Sequence, residues 1–187
     1  MKIYTIIGGV NGTGKSSLTG VLRAKTADLG HIIDVDKITA SMGGDKYAAG
    51  KKAVEKIREC LDKGYSFTQE TTLSGMRGES TVRTAKERGY YIRLYYIALN
   101  SVEDSLDRIA NRVRRGGHNI PEETVRRRFS GRWDALLKVL PYCDEATFFD
   151  NNNGFIEVAS YQNGELTVLM PNPPAWVEEL RGKLSEK

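Results

Sequence analysis

The sequence predicts an α/β fold with a mainly parallel five-stranded sheet flanked by helices. Three observations support this prediction. Five short segments rich in β-branched and aromatic residues alternate along the chain with longer amphipathic segments. Most of the amphipathic segments stop at a glycine, as helices commonly do. An Asn-Gly pair at residues 163–164 joins two further alternating segments, which predicts a C-terminal β-hairpin.

The predicted elements follow one another in the order that strand–helix–strand units require. The predicted strands are residues 2–9, 31–36, 65–72, 90–99 and 145–151. The predicted helices are residues 15–30, 45–64, 78–88, 101–115 and 119–140, with a short helix near the end of the chain. A length of 187 residues predicts one domain, 1–187, with a helical lid at about 108–132 and the hairpin and last helix at 155–184.

Composition narrows the class of protein. No apolar run approaches the length of a membrane span, and no signal-peptide pattern follows Met1, so we expect a cytoplasmic protein. The two cysteines, Cys60 and Cys143, are too few for a disulfide framework and are not spaced as metal ligands. The net charge of +4 suits any polyanion, whether nucleic acid, membrane surface or nucleotide, and does not choose among them.

The segment "GVNGTGKS", residues 9–16, has the spacing of a phosphate-binding P-loop. A predicted strand precedes it and a predicted helix follows it, so the sequence indicates a P-loop NTPase fold. Lys15 would reach the β- and γ-phosphates, and the Ser16 hydroxyl would ligate Mg²⁺. Because no Asn-Lys-x-Asp guanine motif is present, ATP is the predicted nucleotide. The predicted nucleotide-binding residues here are Gly9, Asn11, Gly12, Thr13, Gly14, Lys15, Ser16 and Ser17.

Polar residues stand at the ends of the second and third predicted strands. Asp34 and Asp36 close one strand, and Glu70 and Thr72 close the next. Ligands of open parallel sheets bind beyond the carboxyl ends of the strands, so these side chains are expected near the phosphate loop. A carboxylate there could serve as the base that a kinase needs, or hold metal-bound water. The simpler interpretation, that one aspartate only caps the following helix, stays open for one of the pair.

The stretch "RVRRGGHNIPEETVRRRF", residues 112–129, carries six arginines around a double glycine. Arg108, Arg112 and Arg115 fall on one helical stripe. Asn119 and Glu122 have the spacing of a capping box for a second helix. A helix, a flexible break and a second helix with arginines on both arms predict a lid that closes over phosphates. A solvated basic face and a nucleic-acid-binding surface are the alternatives.

At this point the sequence resembles the zeta-toxin-like P-loop kinases, whose toxin members phosphorylate UDP-N-acetylglucosamine. The resemblance rests on "GVNGTGKSSL", "VDKI", "SFTQETTLSG", "GYYIRLYYIAL", "RIANRVRRGGHNIPEETVRRRF" and "FFDNN", which occur in order over residues 3–155. It implies that Asp36 is the base that takes the proton of the acceptor 3′-hydroxyl, and that the acceptor is a small molecule of the nucleotide-sugar class. It also implies an antitoxin protein as a partner.

The same resemblance assigns roles to further residues. Glu70 and Thr72 match acceptor-binding positions. The arginines that clamp phosphate fall among Arg108, Arg112 and the cluster Arg126–Arg128, with Arg112 and Arg127 as the catalytic candidates. His118 matches an acceptor-side position, and Asn151 lies where such kinases pass the adenine.

The sequence therefore predicts an ATP- and Mg²⁺-dependent small-molecule kinase. Two alternatives of other classes remain at this stage. One is a regulatory ATPase or interaction protein that has no small-molecule acceptor. The other is an RNA-binding ATPase, whose binding would weaken steeply with salt.

Overall fold

A computed structural model describes residues 1–25 and 28–186, and within these ranges seven strands form one sheet of order β2-β3-β1-β4-β5-β6-β7. The strands are β1 (Ile3–Gly8), β2 (His31–Ile33), β3 (Phe67–Thr71), β4 (Tyr91–Ala98), β5 (Glu145–Asp150), β6 (Ile156–Gln162) and β7 (Glu165–Val168). The first five strands pair in parallel, and β6 and β7 add to β5 in antiparallel orientation. The predicted α/β class and parallel five-stranded arrangement are confirmed.

The predicted hairpin forms, but it extends the central sheet. Asn163 and Gly164 both have positive φ, 53° and 87°, as the two central residues of a type I′ turn require. Strand β6 pairs with β5 along its length and buries Val158 and Ala159. Without the hairpin, β5 would be an exposed apolar edge, so pairing with β6 explains why the sheet has more strands than predicted.

The helices lie between the strands at nearly the predicted places. They are α1 (Lys15–Ala24), α2 (Val35–Ser41), α3 (Lys46–Lys63), α4 (Met76–Glu87), α5 (Val102–Arg114), α6 (Glu122–Ser130), α7 (Arg132–Val139) and α8 (Ala175–Ser185). Helix α1 is shorter than the predicted 15–30, and residues 26 and 27 lie outside the described residues. Helix α2 was not predicted.

The prediction of one helix over 119–140 is wrong. Gly131, with φ −88° and ψ 10°, separates α6 from α7, and this break turns α7 so that Trp133 and Leu136 are buried. The predicted capping box is also wrong, because α6 begins after Pro121 and no side chain caps it. Proline already lacks one of the N–H groups that a cap would satisfy.

Two apolar clusters fix the sheet between its helices. The larger one runs from Tyr4 and Phe67 to Trp133 and Trp176, and it covers one face of the sheet. The smaller one, Ile7, Leu18, Ile97 and Phe149, packs α1 against the other face. Burial of this apolar surface holds the carboxyl ends of β1, β2 and β3 at one edge. Among the described helices, none is long and apolar enough to cross a membrane.

Candidate functional site

The predicted phosphate loop connects β1 directly to α1. Gly9, Gly12 and Gly14 have φ of 144°, 81° and 96°, values that favour glycine. Gly14 is the N-cap of α1 and no side chain caps that helix, so its first N–H groups are free to meet an anion. The loop therefore has the backbone geometry of a phosphate cradle.

Close packing also restricts two loop positions to glycine. A β-carbon at position 9 would lie 2.5 Å from the Ile97 carbonyl oxygen, and one at position 12 would lie 2.7 Å from the Ser105 carbonyl oxygen. Both contacts are with backbone atoms, which cannot move aside cheaply. The glycines thus let β4 and α5 approach the loop from behind.

Lys15 is folded onto the loop that it belongs to. Its Nζ donates hydrogen bonds of 2.9 Å to the carbonyl oxygens of Gly9 and Val10. Burial lowers the pKa of Lys15 to about 8, although the nearby carboxylates of Glu70 and Asp36 oppose that shift. A bound phosphate would supply the negative charge that this ammonium group lacks among its backbone partners.

Glu70 lies behind α1 and joins β3 to the helix. The Ser16 hydroxyl donates to Glu70 Oε2 at 2.6 Å, and the Thr19 hydroxyl donates to Glu70 Oε1 at 2.7 Å. The register of β1 and β3 places Glu70 opposite Ile7, just before the loop begins. Thr19 was not predicted from the sequence. It follows Ser16 by three residues in α1, and this spacing indicates that the two hydroxyls lie on the same face of the helix.

The donors around Ser16 fit a magnesium ion. A hydroxyl and a carboxylate supply hard oxygen ligands, which Mg²⁺ prefers, and Mg²⁺ usually keeps several waters and takes the rest from phosphate. In the part of the chain that the structure describes, no cluster of three His, Cys, Asp or Glu side chains could hold a metal alone.

Asp34 and Asp36 have different surroundings. Asp34 is buried and caps α2, since its Oδ1 accepts hydrogen bonds from the N–H groups of Asp36 and Lys37 at 2.9 and 3.1 Å. Asp36 lies in the first turn of α2, and its side chain is exposed to the cleft. The helix-cap interpretation is thus confirmed for one of the two aspartates.

A cleft of about 440 Å³ lies over the phosphate loop. Its walls come from the loop, from the ends of β2 and β3, and from α5 and α6. Of the residues predicted from the sequence, it brings together Asn11, Gly12, Gly14, Lys15, Ser16, Ser17, Asp34, Asp36, Glu70, Thr72, Arg108 and Arg112. Arg128, a member of the predicted cluster Arg126–Arg128, also lines it.

The lid arginines make separate contacts. Arg108 donates to the carbonyl oxygens of Asn151 and Asn152, and Arg112 donates to that of His118 at 2.8 Å. Arg128 donates to Asn11 Oδ1 at 2.9 Å and so ties α6 to the phosphate loop.

Arg127 is exposed and does not line the cleft, whereas Arg128 does. The sequence held a signal for this difference once the helix start was known. Val125 is fully buried, and Arg128 follows it by three residues on the same helical face, while Arg127 follows by two.

Four other predicted residues do not line this cleft. Gly9 and Thr13 lie inside the loop, where the Thr13 hydroxyl donates to the Val10 carbonyl oxygen. His118 lines a second cavity, also of about 440 Å³, which shares Asp36 and Arg128 with the cleft. Asn151 is buried, and its side-chain nitrogen donates to the Thr13 carbonyl oxygen of the loop, so its predicted place beside the adenine stays a prediction.

The double glycine forms a helix end. Gly116 has φ 83°, its N–H donates to the Val113 carbonyl oxygen, and the N–H of Gly117 donates to that of Arg112, both at 2.9 Å. These two bonds are those of a Schellman motif, which closes a helix with a left-handed residue. The end of α5 therefore accounts for both glycines, and the flexible break stays a prediction.

The sheet order, the glycine-rich loop and the cleft with acidic and basic walls define the class of this protein, which has the P-loop NTPase fold. Comparison with known proteins gives the family. Residues 47–153, more than half of the chain, match the family described as Zeta toxin. The chain belongs to the Zeta toxin family. The match begins after the phosphate loop, so the loop geometry is an independent observation.

Known proteins are similar to this chain in sequence and in structure. A protein of Haemophilus influenzae (strain ATCC 51907 / DSM 11121 / KW20 / Rd), described as uncharacterized, is 38% identical over 127 residues, which cover 65% of this chain and 88% of that protein. The AvrRxo1-ORF1:AvrRxo1-ORF2 complex with sulphate ions is similar with a TM-score of 0.71 at 18% identity, over 96% of this chain and 63% of that one. This chain thus spans a little under two thirds of that neighbour.

Two other solved structures extend the comparison. The same AvrRxo1 pair with ATP has a TM-score of 0.69 at 19% identity, over 99% of this chain and 64% of that one. The PezAT toxin-antitoxin system of Streptococcus pneumoniae has a TM-score of 0.66 at 18% identity, over 100% of this chain and 85% of that one. At these identities the likeness establishes the fold.

Proposed function

We propose that this protein transfers the γ-phosphate of ATP to a hydroxyl group of a small molecule. The observation that carries the proposal is the position of Asp36. This exposed carboxylate lines the same cleft as Lys15 and Ser16, and it belongs to no hydrogen bond through its side chain among the described residues. A carboxylate in this position can accept the proton of an acceptor hydroxyl, which phosphoryl transfer to a small molecule requires.

The residues divide the work of phosphoryl transfer. Lys15 and the loop N–H groups would hold the β- and γ-phosphates, and Ser16 with Glu70 would hold Mg²⁺, which would neutralise phosphate charge when bound. Asp36 accepts the proton of the acceptor hydroxyl while the oxygen of that hydroxyl bonds to the γ-phosphorus. The bond from that phosphorus to the oxygen that bridges it to the β-phosphate breaks, and ADP is the leaving group. Arg112 and Arg128 stabilise charge on the phosphoryl group in transit.

The second cavity supports a place for the acceptor. It meets the phosphate cleft at Asp36 and Arg128, and its walls combine Val35, Ile120 and Pro121 with the hydroxyl of Thr124 and the imidazole of His118. Apolar faces suit a sugar or base ring, and Arg128 suits a phosphate. A nucleotide sugar such as UDP-N-acetylglucosamine is the acceptor that we propose. In this proposal Glu70 contacts the metal ion, and Thr72 contacts the acceptor.

The comparisons support two further proposals. Two neighbours are, by their printed descriptions, an ORF1:ORF2 complex and a toxin-antitoxin system, which supports a protein antitoxin as the partner of this chain. The proposed reaction consumes ATP, which is made and kept inside the cell, and this supports the cytoplasm as the place where the protein acts.

The test is a transfer assay with a panel of acceptors. The protein is incubated with Mg-ATP and separate nucleotide sugars, and each product is weighed by mass spectrometry for the gain of one phosphate. We expect a product with UDP-N-acetylglucosamine and none with Lys15→Ala. A product with another sugar would correct the acceptor. Rapid hydrolysis of ATP that no acceptor accelerates would contradict the kinase and support a regulatory ATPase.

A further inference from the structure

Asn151 makes a contact that the proposed reaction does not use. Its side-chain nitrogen Nδ2 donates a hydrogen bond of 2.8 Å to the carbonyl oxygen of Thr13, inside the phosphate loop. Both residues are buried, Thr13 completely. The two lie 138 residues apart, so the bond exists only in the folded protein.

The orientation of the side-chain amide follows from chemistry. If the carboxamide were reversed, Asn151 Oδ1 would face the Thr13 carbonyl oxygen, and two acceptors would meet without a proton between them. The amide nitrogen is therefore the atom that faces the loop. An aspartate at this position could not donate in its ionised form.

This bond fixes the direction of one peptide group in the loop. The peptide bond between Thr13 and Gly14 is trans, so the Thr13 carbonyl and the Gly14 N–H point in opposite directions. Because Asn151 holds the carbonyl from behind the loop, the Gly14 N–H is turned toward the cleft that Gly14 lines. That N–H is one of those that phosphate oxygens would meet.

The contact also explains why residue 14 has no side chain. A β-carbon on Gly14 would lie 2.6 Å from Asn151 Nδ2 and 3.3 Å from the ring of Phe155. The φ of 96° at Gly14 adds a second reason for glycine. The last glycine of the motif and Asn151 therefore fit each other.

The backbone of Asn151 is held on both sides. Its N–H donates to the Ala98 carbonyl oxygen at the end of β4, at 3.3 Å, and its own carbonyl oxygen accepts from Arg108 of α5. The neighbouring Asp150 is buried and accepts from the indole N–H of Trp176 at 3.0 Å. Asn151 thus stands on a rigid support, and it links the phosphate loop to an arginine that lines the cleft.

We propose that Asn151 is a positioning residue, which presets the Gly14 N–H for phosphate and connects the loop to Arg108. Of the proposed function, this inference rests only on nucleotide binding, so a failure to find an acceptor would leave it intact. It differs from the expectation that Asn151 borders the adenine. The two roles can be distinguished because the first affects affinity for phosphate ligands and the second affects affinity for adenosine.

The test compares binding of Mg-ATP, inorganic tripolyphosphate and adenosine by titration calorimetry. In Asn151→Asp, a carboxylate would face the Thr13 carbonyl, and we expect affinity for both phosphate ligands to fall about tenfold or more, with adenosine unchanged. Asn151→Ala should weaken the same two ligands in the same direction. Asn153→Asp is the matched control, because it adds the same charge two residues away at an exposed position, and it should bind all three normally.

Two results would overturn the proposal. One is a loss of adenosine affinity equal to the loss for ATP, with tripolyphosphate unaffected, since that pattern belongs to a residue that borders the base. The other is an equal loss of affinity for the phosphate ligands in Asn153→Asp, which would show that the added negative charge alone causes the effect. Should the variants unfold, amide NMR of the native protein decides: tripolyphosphate must shift the Gly14 N–H resonance, and an unmoved Gly14 resonance contradicts the proposal.

Discussion

The hydroxyl of Ser16 and the carboxylate of Glu70, 54 residues apart in the chain, are joined by a hydrogen bond of 2.6 Å. The bond places a negative charge beside the hydroxyl that the P-loop motif offers to Mg²⁺. Thr19 binds the other carboxylate oxygen and so fixes both oxygens of Glu70. The side of the cleft that we propose for Mg²⁺ is therefore built from α1 and β3 together.

Replacing Glu70 should weaken the use of magnesium. Glu70→Gln keeps the size of the side chain and removes its charge, so we expect the Mg²⁺ concentration for half-maximal transfer to rise and the maximal rate to fall about a hundredfold. The measurement is the transfer rate over a Mg²⁺ titration. Glu55→Gln, at an exposed position of α3, is the control. An unchanged Mg²⁺ requirement would remove Glu70 from the metal site.

Asp34, the N-cap of α2, and Asp36, in its first turn, should behave differently. Asp36→Asn removes the proposed base, and we expect transfer to drop by roughly 10²–10⁴-fold while ATP affinity stays nearly the same. Asp34→Asn should leave transfer close to normal, because asparagine caps helices about as well as aspartate. Both variants are assayed for rate and for ATP binding. Transfer that survives in Asp36→Asn would show that another group takes the proton.

Adjacent arginines of α6 offer a paired test of the lid. Arg128 lines the cleft and contacts Asn11, whereas Arg127 is exposed. We expect Arg128→Ala to lower the transfer rate at least about a hundredfold, since an arginine on the phosphoryl group stabilises the transition state. Arg127→Ala should have a small effect on the same rate. The reverse order would return the catalytic role to Arg127.

The lowered pKa of Lys15 predicts how ATP binding depends on pH. The protonated amine binds phosphate, and burial brings its pKa down to about 8. Above pH 8 binding must first restore the proton, so ATP affinity should fall with rising pH, by at most about tenfold per unit. Calorimetry in buffers of different ionisation enthalpy measures the proton taken up. Lys15→Arg stays charged, so its affinity should lack this fall between pH 8 and 9.5.

The lowered pKa also fixes the sign of a stability effect. Between pH 8 and the ordinary lysine range, the unfolded chain holds a proton on Lys15 that the folded chain has lost. Stability from this group therefore rises with pH in that window. A flat or falling contribution, judged against Lys15→Arg in urea unfolding, would contradict the assigned pKa.

The Schellman motif at the end of α5 predicts the effect of a glycine substitution. Gly116→Ala places a β-carbon at φ 83°, so we expect the free energy of unfolding to fall by roughly 1–2 kcal/mol. Gly20→Ala, inside α1 with open space around it, should instead stabilise by up to about 1 kcal/mol. Urea unfolding measures both. If Gly116→Ala slows transfer with no loss of stability, the hinge interpretation gains support over the helix end.

Much of the fold could be predicted from the sequence because it depends on the local pattern of apolar and turn-forming residues. The alternation of apolar segments predicted the parallel strands, and Asn163-Gly164 predicted the hairpin turn, since its conformation is set by two residues. The break at Gly131 was missed, because the apolar spacing from Val125 to Leu140 continues across it. Only the packing of Trp133 and Leu136 against the sheet makes that break favourable.

By itself the sequence determined the phosphate loop and the class of chemistry, because the loop is eight consecutive residues whose glycines and lysine act through local backbone geometry. The tertiary structure alone decided which charged side chains meet that loop. It separated Asp34, a helix cap, from the exposed Asp36, and it brought Arg128 rather than Arg127 to the cleft. It also paired Ser16 with Glu70 and Thr13 with Asn151. Contacts of this kind depend on how distant strands register and how helices rotate, and burial across the whole sheet sets both.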